Sequence, residues 1–207
     1  MENFASLRKI MVEEQLRQRG ISDERVLAAM GEVPREKFVP VELRDHAYDD
    51  CPLPIGFGQT ISQPYVVALA CQLLELNGRE KVLDVGTGSG YAAAVLSRLC
   101  QKVISVEVIP ELAEEARKAL AALDYSNVTV ATSDGKAGWP TEAPFAAINS
   151  AAASSEIPLA WKGQLADGGR IVLPLSGGLG QELVKVTKRG NIFTAETFGG
   201  VVFVPLV

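Results

Sequence analysis

The feature that most limits the fold of this chain is the segment VLDVGTGSGY at positions 82–91. Its first half is apolar on both sides of Asp84 and predicts a buried strand. Gly86, Gly88 and Gly90 then predict a tight turn into a helix, because glycine adopts backbone conformations that other residues avoid. A buried strand that runs through such a turn into a helix is typical of a parallel α/β sheet, where ligands bind at the carboxyl ends of the strands.

After this turn, strand-like and helical patterns alternate. Strands are predicted at 81–85, 103–107, 128–131, 145–150 and 170–175, and helices at 91–99, 110–123 and 157–165. This alternation predicts the α/β class, with a mostly parallel, twisted sheet that carries helices on both faces. The last two strand-like runs, 182–187 and 192–204, are separated by the turn-forming sequence KRGN and predict a C-terminal β-hairpin.

The first 78 residues have a different character. Their apolar spacing predicts a helix that ends near Gly20 and a second helix that begins at Ser22 or Asp23. The sequence IGFGQTIS at 55–62 predicts a glycine-rich loop, and Ser62 is placed to cap the helix that follows.

These patterns and the length predict a single domain over residues 1–207. We expect a helical N-terminal extension with an active-site loop at 1–78 and a cofactor-binding core at 79–207.

Composition excludes several classes of function. The chain has one histidine and three cysteines without a CxxC pair, so we expect no metal site. A net charge of −5 without a basic stripe argues against a nucleic-acid partner. No apolar run reaches the roughly 18–20 residues that span a bilayer, and the polar N-terminus does not resemble a signal peptide. We expect a soluble, cytoplasmic monomer.

The glycine turn also indicates which cofactor the chain binds. Its spacing is GxGxG, whereas a dinucleotide fold requires GxGxxG, and Tyr91 occupies the position of that third glycine. Asp84 beside the turn would repel a pyrophosphate but suits the ammonium and sulfonium groups of S-adenosyl-L-methionine. We therefore expect S-adenosyl-L-methionine to contact Asp84 and the turn itself, which comprises Gly86, Gly88, Ser89 and Gly90.

Acidic residues follow the next two predicted strands. Glu107 is placed to accept hydrogen bonds from both ribose hydroxyls, and Asp134, followed by Gly135, could accept from the adenine amino group. Each feature also has a purely structural interpretation, as a packing turn, a solvated strand end or a simple turn. Their order and spacing together favour a cofactor site.

Motifs along essentially the whole chain resemble the protein-L-isoaspartate O-methyltransferase family. They are VPREKFV at 33–39, LPIG at 53–56, QTISQP at 59–64, LDVGTGSGY at 83–91, APF at 143–145, GGR at 168–170, LP at 173–174 and FVPL at 203–206. The glycine turn occurs in many methyltransferases, so the resemblance rests mainly on TISQP, the helical extension and FVPL.

The resemblance implies a Rossmann-like class I methyltransferase that repairs damaged proteins by methylating the free α-carboxylate of L-isoaspartyl residues. Ser62 matches the family's proposed active-site serine, and we expect it to orient the substrate carboxylate by a hydrogen bond. Thr60 and Ile61 are expected to line the same cleft and to contact the cofactor.

The chain departs from the family pattern at Ser133, Ala146 and Asn149-Ser150, which puts the fit of the substrate in question. Two other functions stay open. One is a methyltransferase for a small-molecule acceptor, and the other is a non-catalytic protein that binds S-adenosyl-L-methionine.

Overall fold

The computed structural model describes residues 3–178 and 180–207 and is built around a seven-stranded sheet. Its strands are β3 (Lys81–Val85), β4 (Lys102–Glu107), β5 (Val128–Thr132), β6 (Phe145–Ser150), β7 (Leu165–Gly177), β8 (Gly180–Arg189) and β9 (Ile192–Val201). Their order in the sheet is β5-β4-β3-β6-β7-β8-β9. β1 (Leu53–Gly56) and β2 (Gln59–Ile61) form a separate two-stranded sheet.

Strand directions agree with the sequence prediction. β3 pairs in parallel with β4 and β6, β4 with β5, and β6 with β7. β7, β8 and β9 are antiparallel, and β8 and β9 form the predicted C-terminal hairpin. The mostly parallel, Rossmann-like α/β fold is confirmed, although β7 is longer and β9 ends earlier than predicted.

Helices cover the sheet and build the N-terminal extension. They are α1 (Phe4–Ile10), α2 (Glu24–Glu32), α3 (Pro64–Leu73), α4 (Tyr91–Ser97), α5 (Pro110–Ala122) and α6 (Leu159–Gln164). α1 continues as a π-helical turn and a short 3₁₀ turn to Gly20, whose φ of 95° ends the helix as predicted. Asp23 caps α2, because its side chain accepts hydrogen bonds from the amides of Arg25 and Val26.

The extension is joined to the core by polar contacts as well as by apolar packing. Arg25 on α2 donates to the carbonyl oxygen of Leu99 in the core at 3.0 Å and, within the extension, to that of Leu76 at 2.5 Å. The larger apolar cluster joins the N-terminal helices to α3, α4 and one face of the sheet, while the smaller one contains Phe145 and Trp161. Among the described residues, no helix is long and apolar enough to cross a membrane.

Two predictions for residues 53–64 are wrong. The predicted loop is a hairpin, β1–β2, whose turn is made by Phe57 and Gly58, both with positive φ. Buried Ile55 and Ile61 hold its strands against the core, a pattern too short to distinguish from a loop in the sequence. Ser62 does not cap α3 either, because the N-cap is Gln63 and no side chain caps the helix.

Candidate active site

A narrow cavity, called here the inner cavity, lies at the carboxyl ends of β3 and β4. Its walls come from the glycine turn, the β1–β2 hairpin and residues 204–207. Of the predicted cofactor residues, the structure places Thr60, Gly86, Gly88, Glu107 and Gly135 in its lining. The sheet edge therefore brings together residues that are up to 75 positions apart in the chain, from 60 to 135.

The glycine turn and the end of β4 are joined by a carboxylate. Glu107 is buried, and its two oxygens accept hydrogen bonds from the amides of Gly88 at 2.8 Å and Ile109 at 3.0 Å. These contacts fix its orientation and leave a lone pair on each oxygen for a further donor. Glu107 thus presents a fixed acceptor to the inner cavity.

Gly135 is required by close packing at the opposite wall. A Cβ atom at this position would lie 2.5 Å from Cγ1 of Val85, a residue that also lines the inner cavity. Asp134 is exposed and lies outside the lining, and its Oδ1 accepts a hydrogen bond from the amide of Lys136 at 2.8 Å. The structure therefore places Gly135 at the cavity and assigns Asp134 a local capping contact, so its contact with adenine stays a prediction.

Asp84 occupies a fully buried position behind the glycine turn. Its Oδ1 accepts a hydrogen bond from Nδ2 of Asn149 at 2.8 Å, and its Oδ2 accepts one from Oγ of Ser105 at 2.7 Å. The hydroxyl of Thr87 lies 2.6 Å from Oγ of Ser105. Since Ser105 uses its single proton for Asp84, Thr87 must donate to Ser105.

Burial determines the acidity of this carboxyl. Desolvation raises the pKa of Asp84 to about 6, against the lowering effect of its two donors, and the nearby charge of Glu107 adds to the rise. The buried Asp84 side chain is therefore linked to the glycine turn through Ser105 and Thr87. A direct contact between Asp84 and a cofactor stays a prediction.

A wider groove, called here the outer groove, adjoins the inner cavity and has a volume of about 740 Å³. Thr60, Ala151 and Val204 line both spaces, so the two meet at these residues. Ser62 lines the outer groove together with Gln63. A ligand in the groove would therefore have Ser62 beside it and the inner cavity at its end.

Besides Asp84 and Asp134, three predicted cofactor residues line neither the inner cavity nor the outer groove. Ile61 is 3% exposed and belongs to the core, so its contact with the cofactor stays a prediction. Ser89 and Gly90 line neither space. Gly90 is the N-cap of α4 with a φ of 90°, and a Cβ atom there would lie 3.3 Å from the side chain of Leu120 on α5, so glycine is favoured at this position for structural reasons.

The residues that depart from the family pattern have different positions. Ser133 and Ala146, which we expected near the site, line neither the inner cavity nor the outer groove. Asn149 and Ser150 line a small cavity of about 20 Å³ beside Ser62, and Asn149 also donates to Asp84. Of these four residues, Asn149 and Ser150 are therefore the ones that the structure places beside Ser62.

Sequence reasoning missed the support of Asp84 and one wall of the site. Ser105 and Thr87 were not singled out, although a serine in an otherwise apolar buried strand is a signal for a polar partner. The wall of the inner cavity formed by residues 204–207 was also missed, since this region was predicted as the end of a β-hairpin. Within the described residues, no cluster of three or more potential metal ligands occurs.

Comparison with known proteins gives a consistent result. The family model for protein-L-isoaspartate(D-aspartate) O-methyltransferase matches residues 7–207. A protein-L-isoaspartate O-methyltransferase of Marinobacter nauticus is 53% identical over 209 residues, covering 100% of this chain and 95% of the relative. One from Syntrophobacter fumaroxidans is 52% identical, with coverages of 100% and 97%.

Solved structures agree with this match. A protein-L-isoaspartate O-methyltransferase structure superposes with a TM-score of 0.86 at 29% identity, covering 96% of this chain and 65% of that longer one. A Plasmodium falciparum structure of a beta-aspartate methyltransferase, in complex with S-adenosyl-L-homocysteine, has a TM-score of 0.84 at 26% identity. It covers 100% of this chain and 99% of its own.

Proposed function

Because the chain belongs to the protein-L-isoaspartate(D-aspartate) O-methyltransferase family, we propose that it methylates the free α-carboxylate of L-isoaspartyl residues in damaged proteins and peptides, using S-adenosyl-L-methionine. The observation that carries the proposal within the structure is the junction of the two spaces at Thr60, Ala151 and Val204. A methyl donor in one space and a peptide in the other can meet only where the spaces join.

The residues of the inner cavity fit S-adenosyl-L-methionine. A carboxylate with free lone pairs, Glu107, suits the ribose hydroxyls, and the positive φ of Gly86 and Gly88 lets a ligand approach the main chain closely. Carboxylates at the cavity and behind it, Glu107 and Asp84, match a cationic ligand in sign. When bound, the cofactor supplies an electrophilic methyl group.

The outer groove suits an extended peptide. It is open, about 740 Å³ in volume, and combines apolar walls such as Val66 and Val202 with the hydroxyl of Ser62. We expect this hydroxyl to donate to the substrate carboxylate and so to hold one oxygen toward the inner cavity.

The chemistry needs orientation more than proton transfer. An α-carboxylate has an ordinary pKa of about 3.3–3.7 and is already ionised at neutral pH, so no general base is required. The protein contributes by aligning this oxygen at the junction and by excluding water from it. After release, the adjacent backbone nitrogen attacks the carbonyl carbon of the methyl ester and expels methanol, which gives a succinimide that hydrolyses in part to normal aspartate.

Three further features belong to this proposal. We expect a monomer that acts on isoaspartyl proteins in the cytoplasm without nucleic acid. The net charge of −5 supports the last point, because a nucleic-acid partner requires a basic surface.

The test is transfer of radiolabelled methyl from S-adenosyl-L-methionine to an isoaspartyl peptide and to the same peptide with normal aspartate. We expect label that is released by mild base on the isoaspartyl peptide alone. No label on either peptide, with S-adenosyl-L-homocysteine still bound, would instead favour a small-molecule acceptor. Failure to bind S-adenosyl-L-homocysteine would refute the assignment of the inner cavity.

A further inference from the structure

Residues 202–207, which follow β9, form a wall of both the inner cavity and the outer groove. Val202, Phe203 and Val204 line the groove, and residues 204–207 line the inner cavity. The position of this 202–207 segment therefore sets the width of both spaces.

The segment is attached to the fold at two places. At one, Ala153 donates from its amide to the carbonyl oxygen of Val204 at 2.8 Å and accepts from the amide of Leu206 at 2.7 Å. At the other, a side chain holds the backbone: Oε1 of Gln181 accepts from the amide of Phe203 at 2.6 Å, and its Nε2 donates to the carbonyl oxygen of Phe203 at 3.1 Å.

The two side-chain hydrogen bonds of Gln181 extend the β8–β9 hydrogen-bond ladder beyond its last backbone pair. The backbone of Gln181 is paired with Val201 at the end of the β8–β9 ladder, and its side-chain amide then pairs with both polar groups of Phe203. An amide that donates and accepts at once replaces a peptide group of a neighbouring strand. Glutamate or alanine at this position cannot do the same.

The segment also closes one side of the inner cavity, because residues 204–207 belong to its lining. A ligand held in that cavity therefore lies against the segment. Val202 is 94% exposed and gains little from apolar packing. At Phe203 the hydrogen bonds of Gln181 therefore add to the apolar contacts that this side chain makes around the small cavity beside Ser62.

We propose that Gln181 is a positioning residue, which pins the 202–207 segment and thereby strengthens both cofactor retention and peptide binding. Only the part of this inference that concerns peptide binding rests on the proposed function. Gln181 itself lines the outer groove but not the inner cavity. An effect of Gln181 on cofactor affinity must therefore pass through the segment, whereas a direct contact with the peptide would leave that affinity unchanged.

The test compares Gln181→Ala and Gln181→Glu with the wild-type protein. The control is Glu182→Ala, which changes the next, exposed residue of the same strand. Dissociation constants for S-adenosyl-L-homocysteine come from calorimetry, kcat and KM from methylation of an isoaspartyl peptide, and fold integrity from thermal unfolding.

Loss of two hydrogen bonds in Gln181→Ala should weaken cofactor binding and raise the peptide KM by on the order of tenfold each, with kcat at saturation changed less than about threefold. Gln181→Glu keeps the acceptor for the Phe203 amide but loses the donor, so we expect an intermediate effect. Gln181→Ala should speed hydrogen exchange at the amide of Phe203, Gln181→Glu should do so less because it keeps the acceptor, and Glu182→Ala should match wild type.

An unchanged dissociation constant in either folded Gln181 variant would overturn the proposal, as would a loss of kcat alone with a lowered melting temperature. If Gln181→Ala does not fold, Gln181→Glu decides. If the wild-type protein binds S-adenosyl-L-homocysteine but methylates no isoaspartyl peptide, the proposed function fails. The dissociation constants measured by calorimetry then still test the role of Gln181 in cofactor binding.

Discussion

The buried carboxylate behind the glycine turn makes the stability of the protein depend on pH in a way that one substitution can expose. Ser105→Ala removes the hydroxyl that donates to Oδ2 of Asp84 at 2.7 Å. A hydrogen bond to a buried charged group contributes about 1.5–3 kcal/mol, which corresponds to about 1–2 pH units in the pKa of its acceptor. The pKa of Asp84, about 6 in the wild-type protein, should therefore rise to about 7–8.

The sign of the effect follows from linkage. The pKa of Asp84 is higher in the folded protein than its ordinary value of 3.8, so its contribution to stability is present below that value and is lost as pH rises through about 6. In Ser105→Ala this loss continues until about pH 7–8. The destabilisation by Ser105→Ala should therefore be about 1.5–3 kcal/mol larger at pH 9 than at pH 5.

Urea denaturation at the two pH values measures this difference. The matched control is Ser97→Ala, which also removes a buried serine hydroxyl, but one that donates to the backbone carbonyl of Ala94 at 2.6 Å. Its destabilisation should be the same at both pH values, since no titrating group is involved. An equal destabilisation by Ser105→Ala at pH 5 and pH 9 would refute the assigned coupling between Ser105 and Asp84.

Three further substitutions test the site. Glu107→Ala should weaken binding of S-adenosyl-L-homocysteine in calorimetry by up to about 1.5–3 kcal/mol for each charged hydrogen bond lost, and an unchanged affinity would exclude its ribose role. Ser62→Ala should lower the turnover of an isoaspartyl peptide on the order of tenfold or more while leaving cofactor affinity nearly unchanged; equal turnover would remove Ser62 from the chemistry. Gly135→Ala places a Cβ 2.5 Å from Val85 Cγ1, so the melting temperature should fall by several degrees and cofactor affinity should weaken. Wild-type values for both would show that Val85 can move aside without cost.

The strands of the parallel core could be predicted from the sequence because each is an apolar run with a clear turn residue beside it. β3 and β6 have the predicted bounds, since an apolar run next to a glycine turn or a proline leaves little choice of ends. Glu107 and Gly135 were found because strand ends in such a sheet converge on one edge.

What the sequence could not show depends on contacts between distant residues. Ser105 and Asn149 meet Asp84 only through the pairing of three neighbouring strands. The contact of Gln181 with Phe203 depends on where β9 leaves the sheet, and the β1–β2 hairpin depends on packing of Ile55 that no local pattern reveals.

A crystal structure of the protein with S-adenosyl-L-homocysteine and an isoaspartyl peptide would test the two-cavity arrangement most directly. We expect S-adenosyl-L-homocysteine in the inner cavity against Glu107, the peptide in the outer groove, and its α-carboxylate between Ser62 and the junction at Thr60, Ala151 and Val204. A peptide bound elsewhere, or a carboxylate that points away from the junction, would contradict the proposed site of methyl transfer.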